Sequence, residues 1–214
     1  MEKFDLLTLG EVLLRLSPKE NKRIVRSTEF ESHVGGAELN VASGVSLLGL
    51  HTGIISKLPA NAIGELARSK VRSMNVSDDY LVYDDDKDAR LGVYYYENGA
   101  YPRKPRIVYD RKNTSINKLT VDDYDDKIYS DTRCFHTSGI TLALSPELRA
   151  TAVEMIKRFK AQGAIISFDV NFRGNLWTGA EAKECIESIL PYVDIFFCSE
   201  DTARLTFLKE GDAK

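Results

Sequence analysis

Short apolar runs alternate along this chain with longer segments whose apolar residues recur at helical spacing. The runs at residues 6–10, 52–56 and 164–170 are typical of buried strands. Helices are predicted over residues 35–48 and 61–74, because apolar side chains fall on one face of each segment. Strands are also predicted at residues 79–82, 134–137 and 194–197, and helices over residues 146–162, from residue 179 and from about residue 199.

The order of these elements predicts the class of fold. Strands that alternate with helices at this spacing form a parallel sheet with helices on both faces. Residues 91–96 and 106–109 interrupt the alternation, because they carry tyrosines and charges in place of a continuous apolar run. Such a pattern is typical of a partly exposed antiparallel sheet. We therefore predict an α/β protein with a small, separate second sheet.

Composition and charge exclude several classes of function. The chain has 214 residues, enough for one large α/β domain, and 43% of them are hydrophobic. Its formal net charge is −3, so it has no sequence-wide attraction to nucleic acid or to an anionic membrane. No apolar run approaches the roughly 18 residues that a membrane span needs, and the first residues lack the pattern of a signal peptide. We expect a cytoplasmic protein with no nucleic-acid or membrane partner.

Several polar features have plain structural interpretations. The three cysteines have no CxxC spacing, so we expect small buried apolar side chains. Asp84, Asp86 and Asp88 resemble the start of a calcium loop, but the glycine and glutamate of such a loop are missing, and a solvated turn is the stronger interpretation. His33, His51 and His136 have no identifiable triad partners and are interpreted as structural.

Polar side chains follow three of the predicted strands, at Gly10-Glu11, at residues 138–140 and at residues 169–173. Ligands bind at such strand ends in open α/β sheets. The last segment places Asp169, Asn171 and Arg173 at alternate positions, which directs the three side chains to one side. Arginine binds carboxylate or phosphate oxygens through two hydrogen bonds. A salt bridge between Asp169 and Arg173 is an equally good interpretation of this segment alone.

A double glycine, Gly35-Gly36, opens the helix predicted over residues 35–48. Glycine lets the backbone approach a ligand closely, and a helix N-terminus offers free N–H donors. Asn40 lies one turn further on and can hydrogen-bond to hydroxyls, but for this segment alone an ordinary helix entry, with Asn40 on a polar face, is the stronger interpretation. No GxGxxG or GxxxxGK[ST] motif occurs, which argues against a dinucleotide or P-loop site. Residues 94–96 are tyrosines on alternate faces of a strand, so only some of them can line a ligand, and packing within the small sheet is the alternative.

Together these segments resemble the ribokinase-like, or PfkB, family of carbohydrate kinases. The segment Gly35-Gly36-Ala37-Glu38-x-Asn40-Val41-Ala42 is similar to the sugar-binding signature of that family. Residues 169–173 with Leu176-Trp177 are similar to the form found in 2-keto-3-deoxygluconate kinases, as are residues 138–141 and Tyr109-x-Arg111-Lys112. The similarity runs from residue 5 to about residue 208.

The resemblance implies a three-layer α/β/α domain over residues 1–214, with a small β-sheet lid formed near residues 12–28 and 90–111. Arg111 and Arg173 would clamp the carboxylate of a sugar acid. The residues that the resemblance implies for phosphate or nucleotide binding are Asn171, Arg173 and Ser199. Those that it implies for the sugar are Gly35, Gly36, Asn40, Tyr94, Tyr109, Arg111, Ile140 and Arg173.

The sequence departs from the family pattern in two places. Thr202 ends the segment that begins at Ser199, where many relatives have Asn-x-x-Glu, and this argues against metal-linked phosphate binding there. The Gly-x-Gly-Asp motif, with its catalytic aspartate, is absent, and Gly211-Asp212 lacks the preceding glycine. We therefore expect no catalytic residue and no metal ligand in these 214 residues, which look like a truncated form of the family domain with its C-terminal part missing.

The resemblance implies that the parent protein uses ATP and Mg²⁺ to phosphorylate a sugar acid, most similar to 2-keto-3-deoxygluconate, and that this chain alone is inactive. A fructokinase or another PfkB sugar kinase is the alternative within the class. A non-catalytic sugar-binding module is the alternative outside it. The free edge and aromatic rings of the lid also predict a homodimer, or a higher homo-oligomer, that pairs through the lid.

Overall fold

The computed structural model describes residues 3–208 and contains two β-sheets and six α-helices within that range. The strands are β1 (Phe4–Leu9), β2 (Leu13–Pro18), β3 (Phe30–Gly35), β4 (Thr52–Pro59), β5 (Leu81–Asp84), β6 (Gly92–Glu97), β7 (Arg106–Asp110), β8 (Thr132–Ser138), β9 (Ile165–Asp169) and β10 (Ile195–Phe197). The helices are α1 (Ala37–Leu47), α2 (Ala62–Ser73), α3 (Gly139–Ala143), α4 (Pro146–Ala161), α5 (Gly179–Ile189) and α6 (Glu200–Phe207).

The larger sheet lies between two layers of helices. Its six strands have the order β10-β9-β8-β1-β4-β5, and every neighbouring pair is parallel. Successive side chains of a strand point to opposite faces, so Ile54 and Ile55 of β4 lie in two different buried clusters. One cluster includes residues of α1 and α2, and the other includes residues of α4 and α5. The predicted α/β fold is therefore confirmed.

Three of the predicted helices begin with hydrogen bonds from side chain to backbone. The side chains of Asn61 and Ser145 each accept from backbone N–H groups of the first helical turn, and Thr178 and Glu181 form a capping box. These hydrogen bonds satisfy backbone N–H groups at the helix N-terminus that have no partner within the helix. By contrast, Gly36 precedes α1 and offers no side-chain cap. Within residues 3–208 no helix has the length and apolar character needed to cross a membrane.

The smaller sheet is mixed, in the order β3-β2-β6-β7. The outer pairs are antiparallel, but β2 and β6 are parallel, with Arg15 opposite Tyr94. The prediction of an antiparallel sheet is wrong for this central pair, because β6 follows α2 and β5 and is not joined to β2 by a hairpin. The strand β3 lies just beyond the lid segment expected near residues 12–28, and its mostly exposed residues show no apolar alternation that predicts a strand.

The cysteines differ from one another in exposure. Cys134 and Cys185 are partly buried, and burial raises the pKa of the Cys134 thiol to about 11. Cys198 is exposed, so the prediction that all three are buried is wrong for this residue. The reason is its position directly after β10, which forms one edge of the larger sheet among the described residues and whose three apolar side chains are themselves exposed.

Candidate functional site

A cleft of about 380 Å³ lies where the small sheet faces the carboxyl end of the larger sheet. Its walls come from the chain after β1, the start of α1, strands β2, β6 and β7, helix α3 and the loop after β9. Open α/β sheets bind ligands at the carboxyl ends of their strands, and this cleft has that position. The cleft is therefore the candidate binding site.

The cleft brings together most of the site residues that the resemblance implies. Gly35 does not line it, and Ser199 lies apart from it at the start of α6, where its hydroxyl accepts a hydrogen bond from the backbone N–H of Thr202. The implied residues that line the cleft are Gly36, Asn40, Tyr94, Tyr109, Arg111, Ile140, Asn171 and Arg173.

Gly36 is needed for the packing of α1 against the chain after β1, whether or not its backbone contacts a ligand. A Cβ at this position would lie 2.2 Å from the carbonyl oxygen of Glu11, far inside van der Waals contact. The φ angle of Gly36 is 165°, an extended conformation that any residue adopts, so the close contact is what excludes a side chain. At Gly35 a Cβ would lie 3.5 Å from Oδ1 of Asn40, which is an ordinary contact.

Replacing Gly36 by alanine is expected to lower the free energy of unfolding by about 1–3 kcal/mol, because α1 and the chain after β1 must move apart. Gly35→Ala is the matched control, with an expected change of about 0.5 kcal/mol or less. Urea unfolding of both variants, followed by circular dichroism, measures the difference. Equal losses in the two variants would show that the contact with Glu11 is not what selects glycine at position 36.

The loop after β9 presents Arg173 to the cleft, with no carboxylate partner among residues 3–208. Oδ1 of Asp169 accepts from the backbone N–H of Asn171 at 3.0 Å, and Asn171 has a φ angle of 35°, in the left-handed region that asparagine tolerates. The guanidinium of Arg173 donates to the carbonyl oxygen of Phe172 at 3.1 Å. Among residues 3–208 no ion pair joins Asp169 to Arg173, so the salt-bridge interpretation of this loop is wrong.

Arg111 forms a buried ion pair that the sequence analysis does not predict. Its guanidinium donates to the carboxylate of Glu11, whose other oxygen accepts from Oγ1 of Thr114 at 2.9 Å. Asp110, which is adjacent to Arg111 in the sequence, instead pairs with Arg90 at 2.6 Å. Burial raises the pKa of the Glu11 carboxyl above its usual range, and the charge of Arg111 opposes this rise.

Glu38 is a second buried carboxyl group that lines the cleft. One of its oxygens accepts hydrogen bonds from Oγ of Ser138 at 2.5 Å and from Oγ1 of Thr141 at 2.8 Å. Burial raises the pKa of this carboxyl above its usual range, and the two hydroxyl donors partly offset the effect. Because these bonds join α1 to α3, Glu38 holds two walls of the cleft together.

Tyr96 and Arg15 line the cleft without having been predicted. Side chains two residues apart share a face, so Tyr94 and Tyr96 face the cleft, while Tyr95 packs against Phe30 on the other face with ring centroids 6.2 Å apart. This alternation is a signal that identifies Tyr96. The guanidinium of Arg15 lies 5.8 Å from the Tyr96 ring centroid, and its Nε is buried with no hydrogen-bond partner in the described part of the chain. No sequence signal identified Arg15, because β2 was not predicted as a strand.

The structure gives no sign of a metal centre in the part of the chain that it describes. No group of three or more histidine, cysteine, aspartate or glutamate side chains between residues 3 and 208 is placed to hold a metal ion. Asp84 pairs with Lys118 at 3.0 Å in the turn that resembled a calcium loop. His136 is buried and shares a hydrogen bond of 2.9 Å with Ser167, which fits a structural role.

The fold and the cleft define a class of protein: an α/β protein with a polar cleft between a parallel sheet and a smaller covering sheet, the position at which open α/β sheets bind ligands. Within that class, the chain belongs to the pfkB family of carbohydrate kinases, whose family model matches residues 3–214.

Several sugar kinases are similar to this chain in sequence or in structure. The chain is 37% identical over 209 residues to a 2-dehydro-3-deoxygalactonokinase from Haloferax volcanii. The matched region covers 98% of this chain and 65% of that relative. The structure of a 2-dehydro-3-deoxygluconokinase from Thermotoga maritima matches with 35% identity and a TM-score of 0.90, over 95% of this chain and 62% of that one. An uncharacterised sugar kinase from Pyrococcus horikoshii, solved in complex with ATP, matches with 27% identity and a TM-score of 0.82, over 95% of this chain and 66% of that one. The chain thus spans about two thirds of the length of these relatives.

Proposed function

We propose that this chain is the sugar-binding part of an ATP-dependent kinase for a 2-keto-3-deoxy sugar acid, with 2-keto-3-deoxygluconate as the first candidate substrate. The observation that carries the proposal is the presence of Arg111 and Arg173 on separate walls of one cleft. Arg173 has no carboxylate partner among residues 3–208, so the carboxylate of a sugar acid would give it a charge-assisted hydrogen bond that a neutral hexose cannot give. The relatives from Haloferax volcanii and Thermotoga maritima, named for the galactonate and gluconate forms of such an acid, support this class of substrate.

The proposed reaction transfers the γ-phosphoryl group of ATP to a hydroxyl of the sugar acid. The hydroxyl oxygen attacks the γ-phosphorus, the bond to the bridging β–γ oxygen breaks, ADP leaves, and the hydroxyl proton passes to a general base. Asn171 and Arg173, which follow β9 at the cleft, and Ser199 are the proposed contacts to phosphate oxygens. We assign neither the base nor a magnesium ligand to residues 3–208, because Glu11 and Glu38 are already engaged in hydrogen bonds.

Calorimetric titration of the chain with 2-keto-3-deoxygluconate, gluconate and fructose tests the substrate class. We expect the keto acid to bind with a Kd at least about tenfold below that of fructose, since charge-assisted hydrogen bonds to a carboxylate are among the strongest available. Gluconate shows how much of the affinity comes from the carboxylate alone. Equal or tighter binding of fructose would favour a fructokinase, and binding of none of the three would contradict the proposal.

A non-catalytic sugar-binding module is the second candidate function. It is favoured by the absence of Gly-x-Gly-Asp from the 214 residues. Such a module would bind the same sugar acid but would transfer no phosphoryl group, alone or in any longer form. Phosphorylation of the sugar acid by a longer form of the protein would rule this candidate out.

We also propose that two subunits pair through the small sheet. The strand β7 lies at one edge of this sheet, and all five of its residues are exposed. Apolar side chains at an open strand edge are normally covered. We expect sedimentation velocity to show a dimer, and Val108→Lys, on the face of β7 away from the cleft, to convert it to a monomer. A monomer at high protein concentration with the sugar acid bound would contradict this.

A further inference from the structure

The carboxyl group of Glu11 is held rigidly between the two sheets. Glu11 lies two residues beyond the end of β1, and only 4% of the residue is exposed. Its two oxygens bind different partners, the hydroxyl of Thr114 and the guanidinium of Arg111. The carboxyl group also lies against Gly92 at the start of β6, where an added Cβ would come within 2.5 Å of Oε1 of Glu11.

Arg111 has hydrogen-bonding capacity left after this ion pair. The side chain lies over the ring of Tyr109, 5.6 Å from its centroid, and 11% of the side chain is exposed. Its Nε is buried and has no hydrogen-bond partner between residues 3 and 208. A guanidinium carries five N–H donors, and Glu11 accepts only part of them. Because Arg111 lines the cleft, the remaining donors are available to a ligand there.

We propose that Glu11 is a positioning residue, which orients the guanidinium of Arg111 for the carboxylate of the ligand, and that Thr114 holds Glu11 in place. This inference rests on the function proposed above. A long side chain loses conformational freedom when a ligand orders it, and that loss weakens binding. An ion pair that already orders Arg111 in the free protein removes this cost from the binding step.

Positioning and plain charge repulsion predict opposite results when the charge of Glu11 is removed. A negative charge beside a ligand carboxylate repels it, so loss of that charge alone would tighten binding of the acid. Loss of positioning would weaken it. Glu11→Gln removes the charge and keeps the size of the side chain. Thr114→Val removes the hydroxyl that holds Glu11 and keeps both charge and shape.

The test compares the affinities for 2-keto-3-deoxygluconate and for its neutral methyl ester, each measured by calorimetric titration of the chain. The ratio of the two Kd values is the selectivity for the acid. We expect Glu11→Gln to lower this selectivity about tenfold and Thr114→Val to lower it about threefold. In an Arg111→Ala background, Glu11→Gln should change the selectivity no further, because its effect acts through Arg111.

Several outcomes would overturn the positioning role. These are tighter or unchanged binding of the acid by Glu11→Gln, equal losses for acid and ester, or a loss of selectivity that persists without Arg111. If Glu11→Gln does not fold, as judged by circular dichroism, unchanged selectivity in Thr114→Val overturns it instead. If the wild-type chain binds the acid more tightly than the ester and the variants have the same selectivity, only the role of Glu11 is rejected. A wild-type chain with no preference for the acid rejects the proposed function as well.

Discussion

Replacing Arg111 or Arg173 by alanine is expected to weaken binding of 2-keto-3-deoxygluconate by roughly ten- to 150-fold, or about 1.5–3 kcal/mol, since each change removes a charge-assisted hydrogen-bond donor to the carboxylate. The two variants should differ in stability. Arg111→Ala leaves Glu11 buried without its ion-pair partner, whereas Arg173 is exposed and has no carboxylate partner among residues 3–208. We therefore expect a lower midpoint of thermal unfolding only for Arg111→Ala.

Arg106→Ala is the matched control for these two arginines. Arg106 begins β7, the strand that Arg111 follows, but it does not line the cleft, so its removal changes the net charge without touching the site. The methyl ester of the sugar acid should bind weakly to the wild-type chain and change little in either cleft variant. If both variants lose acid and ester to the same extent, the arginines do not bind a carboxylate. The proposal would then reduce to a sugar kinase of the pfkB family with an unassigned substrate.

The purified chain of 214 residues is expected to show no ATP-dependent phosphorylation of the sugar acid. Loss of a general base typically lowers a rate about a hundred- to ten-thousand-fold, and the motif that carries this base in the family is absent from the sequence. Gly211-Asp212, the nearest local resemblance to it, lies outside the described residues. A coupled assay for ADP, with the sugar acid at saturating concentration, measures the rate.

A chimera supplies the positive control for this assay. The chain would be joined to the part of the Haloferax volcanii relative that extends beyond the 65% matched here. We expect the chimera to phosphorylate the sugar acid and the chain alone to bind it without turnover. Turnover by the chain alone, with one ADP formed for each sugar acid consumed, would show that the catalytic base lies within these 214 residues.

The larger sheet and its helices follow from local patterns in the sequence. An apolar run such as β1 is a signal contained in a few neighbouring residues, and so are the helix caps at Asn61, Ser145 and Thr178. The small sheet was predicted from its tyrosine-rich strands, but its mixed order was not. The pairing of Arg15 with Tyr94 joins strands that are far apart in the chain, and no neighbouring residue records such a pairing.

For the cleft, too, some features could be predicted from the sequence and others could not. Short motifs that resemble those of the family indicated Gly36, Asn40 and Arg173, because each lies in a segment next to a predicted element. They could not indicate which acid neutralises Arg111. Asp110 is adjacent in sequence, but adjacent residues of a strand point to opposite faces, and Glu11 reaches Arg111 only because the small sheet folds over the end of β1, 100 residues away in the chain. Charge pairing in the site depends on distance in space, and that distance was decided by the tertiary structure.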